Sequence, residues 1–290
     1  NATWLISQSE DPTYDSVDYS EYIPYLNIKF IIGQHPMTNT IRHHYQMLHE
    51  NEVDIEISIN FGKNTTPFVI GKDYRTRNLS RRVLATSQIG QNLIKTEFEL
   101  FDSTSTKTRY AHPMTLFEIT DFPREELNDP KEVNQVLESI CLIRRDVKPD
   151  SKGMTIMVHD MDGGISGAAC VIALYNLLQS VDECLNEKNE IKKSASDVEV
   201  FREINKLRHV RANMVDDFGT YKMIYQCLSY YGQNKAHFDR IKPKAQESIH
   251  EKEGGSVIVN IGPSSQPVVN DLPRNNLPDD IYFTEDIYVN

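Results

Sequence analysis

Residues 154–170 read MTIMVHDMDGGISGAAC. A β-rich apolar run ends at His159, a glycine-containing loop follows, and an apolar helix begins near Ser166. Strand, tight loop and helix N-terminus in one short stretch make an anion site. The exposed backbone N–H groups and the helix dipole both favour negative charge there. This loop, however, carries the carboxylates Asp160 and Asp162 and neither lysine nor arginine. A cradle for anions that holds its own anions is the feature the rest of the chain has to explain.

The elements around it follow no regular βαβ beat. A helix is expected over 37–51, and VDIEISI at 53–59 alternates like a half-buried strand. Strands are expected at 94–101, 106–112 and 115–120. Pro130 opens a helix, PKEVNQVLESICLI, at the position where proline fits a first turn. Two more helices are expected at about 198–211 and 217–231. This mixture predicts an α/β or α+β fold, a mixed sheet with flanking helices. Residues 6–25 are acidic and tyrosine-rich, with Tyr14, Tyr19, Tyr22 and Tyr25, and read as an exposed loop. NEKNEIKKSASD reads as a charged surface insertion at about 185–196. From 233 the expectation is a largely flexible extension to 290, because Gly, Pro, Ser and Asn displace core-forming residues beyond Lys242. Its end carries Tyr282 and Tyr288 among acidic residues.

Charge narrows the partners. The formal net charge is −11, which disfavours nucleic acid and anionic membrane. No apolar run is long enough to span a bilayer, and NATWLISQSEDP lacks the features of a signal peptide, so a cytoplasmic chain is expected. Cys141, Cys170, Cys184 and Cys227 have no CxxC spacing and read as reduced, buried thiols.

Three chemistries compete for the loop. A metal site would use His159, Asp160 and Asp162, but neighbours on an extended chain point to opposite sides, and no second ligand cluster stands out in the sequence. No metal or other cofactor is expected. A serine hydrolase would use Ser166 in Gly164-Ile165-Ser166-Gly167-Ala168, an approximation to G-x-S-x-G. His209, His237 or His250 would then have to serve as base, and no oxyanion segment stands upstream. The third reading rests on more of the chain.

VHDMDGGISGA resembles the phosphate-binding loop of the protein tyrosine phosphatases, V-H-C-S-A-G-x-G-R-T-G, with Val158, His159 and Gly163 in register. NATWLI resembles the family's N-A-S-Y-I strand. GQHPMTNTIRHHYQML resembles T-Q-G-P-L-x-x-T-x-x-D-F-W-x-M-V through Gln34, Pro36, Thr40 and Met47. TLFEITDFPR falls where the family carries its W-P-D loop. VFREINKLRHVRANMVDDFGTYKMIY matches V-F-x-x-V-x-x-L-R-x-x-R-P-G-M-V-Q-T-x-x-Q-Y-x-F-x-Y through Phe201, Leu207, Arg208, Arg211, Met214, Val215, Tyr221 and Tyr225. The resemblance runs from residue 1 to about 232. It implies a tyrosine-phosphatase-like domain over 1–232, a twisted mixed sheet flanked by helices, with the family's N-terminal recognition segment missing.

The resemblance also implies which chemistry is lost. Asp160 stands at the cysteine nucleophile and Ser166 at the phosphate-clamping arginine. Arg124 stands at the general acid, and Asp216 and Thr220 at the glutamines that place water. One hydroxyl cannot replace a bidentate cation, and loss of such a stabiliser costs about 10²–10³ in rate. No catalytic residue is therefore expected. His159, Asp160, Met161, Asp162, Gly163, Gly164, Ile165 and Ser166 remain as a ligand-binding loop, with His159 orienting it and Asp160 either filling it from within or pointing to solvent. The set resembles the second, membrane-distal domains of receptor-type tyrosine phosphatases of the gamma and zeta group. That resemblance implies a regulatory, protein-binding role in phosphotyrosine signalling, with a catalytic phosphatase domain or a tyrosine-phosphorylated kinase as partner. A residual hydrolase using Asp160 or Ser166 is the enzymatic alternative.

Overall fold

The computed structural model describes residues 2–5, 28–37, 40–62, 74–75, 79–102, 111–124, 127, 129–147, 153–184 and 199–242. The tyrosine-rich segment at 6–25, the insertion at 185–196, Glu125, Glu126, His250 and the chain beyond Lys242 lie outside the described residues.

The strands are β1 (Ala2–Leu5), β2 (Ile28–Gln34), β3 (Ile55–Phe61), β4 (Tyr74–Arg75), β5 (Leu79–Gln88), β6 (Leu93–Asp102), β7 (Ala111–Phe122) and β8 (Met154–Asp160). The helices are α1 (Ile41–Glu50), α2 (Pro130–Asp146), α3 (Gly167–Cys184), α4 (Val200–Val210) and α5 (Phe218–Phe238). The strands form one mixed sheet in the order β1-β2-β8-β3-β7-β6-β5-β4. Its centre, β2-β8-β3-β7, is parallel, and β1 on one side and β6, β5 and β4 on the other join antiparallel. The mixed sheet with flanking helices expected from the sequence is therefore the fold.

Both faces of the central sheet are covered. On one face Ile32, Ile57, Ile59, Val158, Phe117 and Ile119 pack with α2 to α5 in the larger core. On the other, Ile31, Met157, Leu116, Phe98 and Leu100 pack with Ile41, Tyr45 and Leu48 of α1. The alternating run at 53–59 is consequently not half-buried. Every residue of β3 is buried, because the strand lies between β8 and β7 and its polar side faces α1 rather than water. That side carries Glu56, Ser58 and Asn60, a polar row inside the protein.

Two further expectations change. Residues 106–110 lie outside the described residues, and the end of the strand expected at 106–112 runs on into the one expected at 115–120 as the single strand β7. Pro113 is tolerated within it because it pairs with Glu99 of β6 at a level where β3 has not yet begun. β5 was not expected: LSRRVLATSQ has neither a clean alternation nor an apolar run. Four helices begin within about two residues of where the sequence places them, and α1 begins at Ile41 rather than at 37. Asp129 caps α2 by accepting from the Lys131 N–H at 2.9 Å, ahead of Pro130. α5 continues to Phe238, past the expected end at 231, and Phe238 is buried in the larger core.

Candidate phosphate loop and the buried cluster beneath it

The loop between β8 and α3 lies at the carboxyl end of a central parallel strand, the usual location of ligand sites in open α/β sheets. β8 is buried through to its last residue, and Asp160 is 0% exposed. Its carboxylate turns back into the loop. Oδ1 accepts from the Gly164 N–H at 2.6 Å and Oδ2 from the Ala168 N–H at 2.8 Å. Ala168 lies in the first turn of α3, so the carboxylate occupies the helix N-terminus, where the dipole favours an anion. Burial raises the Asp160 carboxyl above its usual value, and the Ala168 and Gly164 N–H groups pull in the opposite direction. Both contacts lie near the short range of charge-assisted bonds.

The loop turns through two glycines at positive φ, Gly163 at 74° and Gly164 at 85°. Gly164 also sits against β2: a Cβ there would meet Ile32 Cγ1 at 2.6 Å and the Gly33 carbonyl at 3.2 Å. Three ties hold the loop from outside. His35 N–H donates to the Asp160 carbonyl at 2.7 Å, and Val215 N–H donates to the Ile165 carbonyl at 2.8 Å. Gln34 Nε2 donates to the Met161 carbonyl at 3.4 Å.

The other predicted site residues are placed as follows. Ser166 Oγ donates to Asp162 Oδ2 at 3.2 Å. Arg124 lies over the Phe61 ring at 4.5 Å and approaches the same Asp162 oxygen at 3.6 Å, an exposed pair worth little. Met161 is half exposed. Thr220 is buried, and Asp217 caps α5 by accepting from its N–H at 2.7 Å, while Asp216 is exposed in the turn before that helix. The loop thus brings Asp162, Ser166 and Arg124 together, while Asp160 turns inward to the Gly164 and Ala168 N–H groups. His209 bonds the Asn205 carbonyl and His237 packs on Phe238, so Ser166 meets a carboxylate where a hydrolase triad needs a base.

The turn between α4 and α5 is an unexpected support. Asn213 and Val215 adopt positive φ, an unfavourable conformation for a β-branched residue. Arg208 fastens the turn by donating from Nε to the Met214 carbonyl at 2.9 Å and from Nη2 to the Val215 carbonyl at 2.5 Å. Arg211 closes α4 through its backbone N–H to the Leu207 carbonyl at 3.0 Å, and its guanidinium lies beside Gly163. Its Nη1 is buried without a hydrogen-bond partner among the described residues.

Beneath the loop, on the α1 face, lies a buried polar cluster that the sequence does not announce. His159 Nε2 contacts Glu56 Oε1 at 2.9 Å, and His44 Nε2 contacts the same oxygen at 2.7 Å. His159 Nδ1 lies 3.2 Å from His35 Nδ1, and His35 Nε2 reaches Asn60 Oδ1 at 3.1 Å and Ser58 Oγ at 3.2 Å. His159 therefore does not gather with Asp160 and Asp162, as a metal site read from the sequence would require. Its partners come from α1 and β3.

Burial lowers the His159 pKa to about 4, with Glu56 opposing. Burial also works against ionising Glu56, but His44 and His159 outweigh it and hold that carboxyl well below its usual range. Across from Ser58 on β7, burial and the Glu56 charge push Glu118 up to about 8, with Arg81 opposing. The two titrations act on stability in opposite directions. Neutral His159 costs stability as pH falls from about 6.5 towards 4, whereas Glu118 costs stability as pH rises from about 4.5 through 8. Between pH 6.5 and 8 Glu118 dominates this pair. The unfolding free energy in chelator-containing buffer should fall by about 1–2 kcal/mol over that window. Urea unfolding of Glu118→Gln should show a flat profile there; an equal decline in the variant would remove Glu118 as the cause.

Comparison with known proteins agrees with this architecture. A family model described as protein-tyrosine phosphatase matches residues 15–230. The solved structure described as "Structural basis of PTPN18 fingerprint on distinct HER2 tyrosine phosphorylation sites" is similar with a TM-score of 0.54 and 12% identity. That match covers 70% of this chain and 68% of that one. At that identity the likeness speaks for the fold. No curated protein matches.

Proposed function

The chain belongs to the protein-tyrosine phosphatase family, and from that premise we propose that it is a catalytically inactive member serving as a regulatory protein-interaction domain. The observation that carries this reading is the Asp160 carboxylate bonded to the Gly164 and Ala168 N–H groups inside the loop. A phosphoryl group bound in such a loop needs those donors, and here an internal anion holds them. Asp160 is also fully buried, so it is not placed to attack an external phosphorus. Arg124 supplies a permanent cation where the mechanism needs a proton donor, and Ser166 supplies a single hydroxyl spent on Asp162.

A role in binding fits the rim of the loop. Met161 and Phe218 are exposed, and Phe218 opens the helix that follows the turn tied to Ile165. A catalytic phosphatase domain is the partner we propose, with the receptor-type second domain as the family setting and the cytoplasm as compartment. No helix among the described residues is long and apolar enough to cross a membrane. A second reading, a phosphotyrosine receptor that holds a phosphorylated kinase, rests on Arg211, whose buried Nη1 has no hydrogen-bond partner among the described residues and whose guanidinium lies beside Gly163.

The test of inactivity is turnover. The purified chain should release no phosphate from p-nitrophenyl phosphate or from a tyrosine phosphopeptide above the uncatalysed rate. Turnover abolished by Asp160→Ala or Ser166→Ala would establish a repurposed hydrolase and end the proposal.

A further inference from the structure

The buried cluster beneath the loop is built from three elements: His44 on α1, Glu56 on β3 and His159 on β8. All three residues are buried, and one ligand atom from each lies within 4.8 Å of the other two. We propose that His44 Nε2, His159 Nε2 and the Glu56 carboxylate form a structural binding site for a divalent transition ion of the zinc class.

The geometry suits such an ion. Zinc takes imidazole nitrogen at about 2.0–2.1 Å and carboxylate oxygen at about 2.0–2.2 Å, usually in tetrahedral sites. Glu56 Oε1 already lies 2.7 Å from His44 Nε2 and 2.9 Å from His159 Nε2. Tetrahedral ligands sit about 3.3 Å apart at those bond lengths, so a small lengthening of the two Glu56 contacts admits the ion. The ligand set, two imidazoles and a carboxylate, selects zinc over calcium or magnesium, which prefer oxygen alone. The outer contacts are those a ligating histidine needs. With Nε2 on the metal, His159 Nδ1 points to His35, which is held in turn by Asn60 and Ser58.

A second observation separates this from a closed histidine–carboxylate hydrogen-bond network. Such a network should satisfy its own buried atoms, and this one does not. Glu56 Oε2 has no hydrogen-bond partner among the described residues, nor does either oxygen of Glu118, which is 0% exposed. Buried carboxylate oxygens without donors are costly. A divalent cation supplies what is missing at Glu56: Oε2 can close onto it, and the Glu56 charge offsets part of the ion's. Because His159 directly precedes Asp160, the ion would also fix the strand end from which the loop departs.

The experiment is titration of the whole chain, stripped with chelator and checked for folding by circular dichroism, with zinc chloride alone. The expected result is one zinc per chain with a dissociation constant at or below about 1 μM, and a rise in Tm of about 5 °C or more. Folded wild-type chain that takes up no zinc overturns the proposal. His44→Phe and Glu56→Gln should each weaken binding at least about 100-fold, and His43→Ala, at an exposed neighbour on α1, should leave it unchanged. Undiminished binding in folded His44→Phe would place the ion elsewhere and overturn the assignment. If the variants do not fold, cobalt substitution of the wild-type chain decides. An intense visible absorption from a four- or five-coordinate ion supports the site, and the weak spectrum of an octahedral surface ion contradicts it.

Discussion

Replacing Asp160 with alanine should lower the unfolding free energy by about 2–6 kcal/mol and, at the same time, give the chain an affinity for inorganic phosphate. The first effect follows from the two N–H groups left behind. Gly164 N and Ala168 N donate to separate oxygens of Asp160 in a buried site, and each orphaned buried donor costs about 1–3 kcal/mol. That is a large share of a stability of about 5–15 kcal/mol. The second effect follows from the donors that the carboxylate holds. With it gone, two converging N–H groups and a helix N-terminus await an external anion. Inorganic phosphate at about 10 mM should then raise the Tm of the variant and leave wild type unmoved. Asp160→Asn should fall between, since one amide oxygen can serve one donor while its NH₂ faces the other. Urea denaturation with and without phosphate measures both effects. A variant as stable as wild type would mean that the carboxylate does not hold the loop.

Gly164→Ala should cost about 2–5 kcal/mol by a separate route. Its φ of 85° lies in the left-handed region, where a Cβ costs about 1–2 kcal/mol. The added methyl would lie 2.6 Å from Ile32 Cγ1, 3.1 Å from Ile32 Cδ1 and 3.2 Å from the Gly33 carbonyl. Ile32 is fully buried on β2 and has no room to withdraw, so overpacking adds about 1–3 kcal/mol. Gly163→Ala is the control. It has a similar φ of 74° but would meet only Arg211 Nη2, at 3.6 Å, so it should show the backbone cost alone, about 1–2 kcal/mol. Equal losses in the two variants would mean that the contact with β2 is not the source.

The loop was legible in the sequence because its parts are neighbours. Strand, two glycines and helix start fall within residues 154–170, and Asp160 at the strand end can only turn into the loop or away from it. The cluster beneath was not legible, for a physical reason. Glu56, Ser58 and Asn60 alternate with isoleucines, and an alternating run reads as one wet face and one dry face. Whether the polar face is wet depends on what covers it, and α1 covers it here. His44 and His159 are far apart in sequence, and only the insertion of β8 between β2 and β3 brings them to one carboxylate. Only an excess of ionisable residues in otherwise apolar runs, Glu56 in IEISI and Glu118 in LFEIT, could have raised the question. β5 escaped notice because its residues carry little periodicity and its place in the sheet comes from pairing with β6.

The central claim is that Asp160 fills the phosphate cradle from within. Calorimetric titration with a tyrosine phosphopeptide and its unphosphorylated twin, on wild type and on Asp160→Ala, tests it most directly. The account predicts no phosphate-dependent heat from wild type and measurable phosphate-dependent binding by the variant. Phosphate-dependent binding by wild type that is lost on Arg211→Ala would contradict it, and would make the loop a working phosphotyrosine receptor.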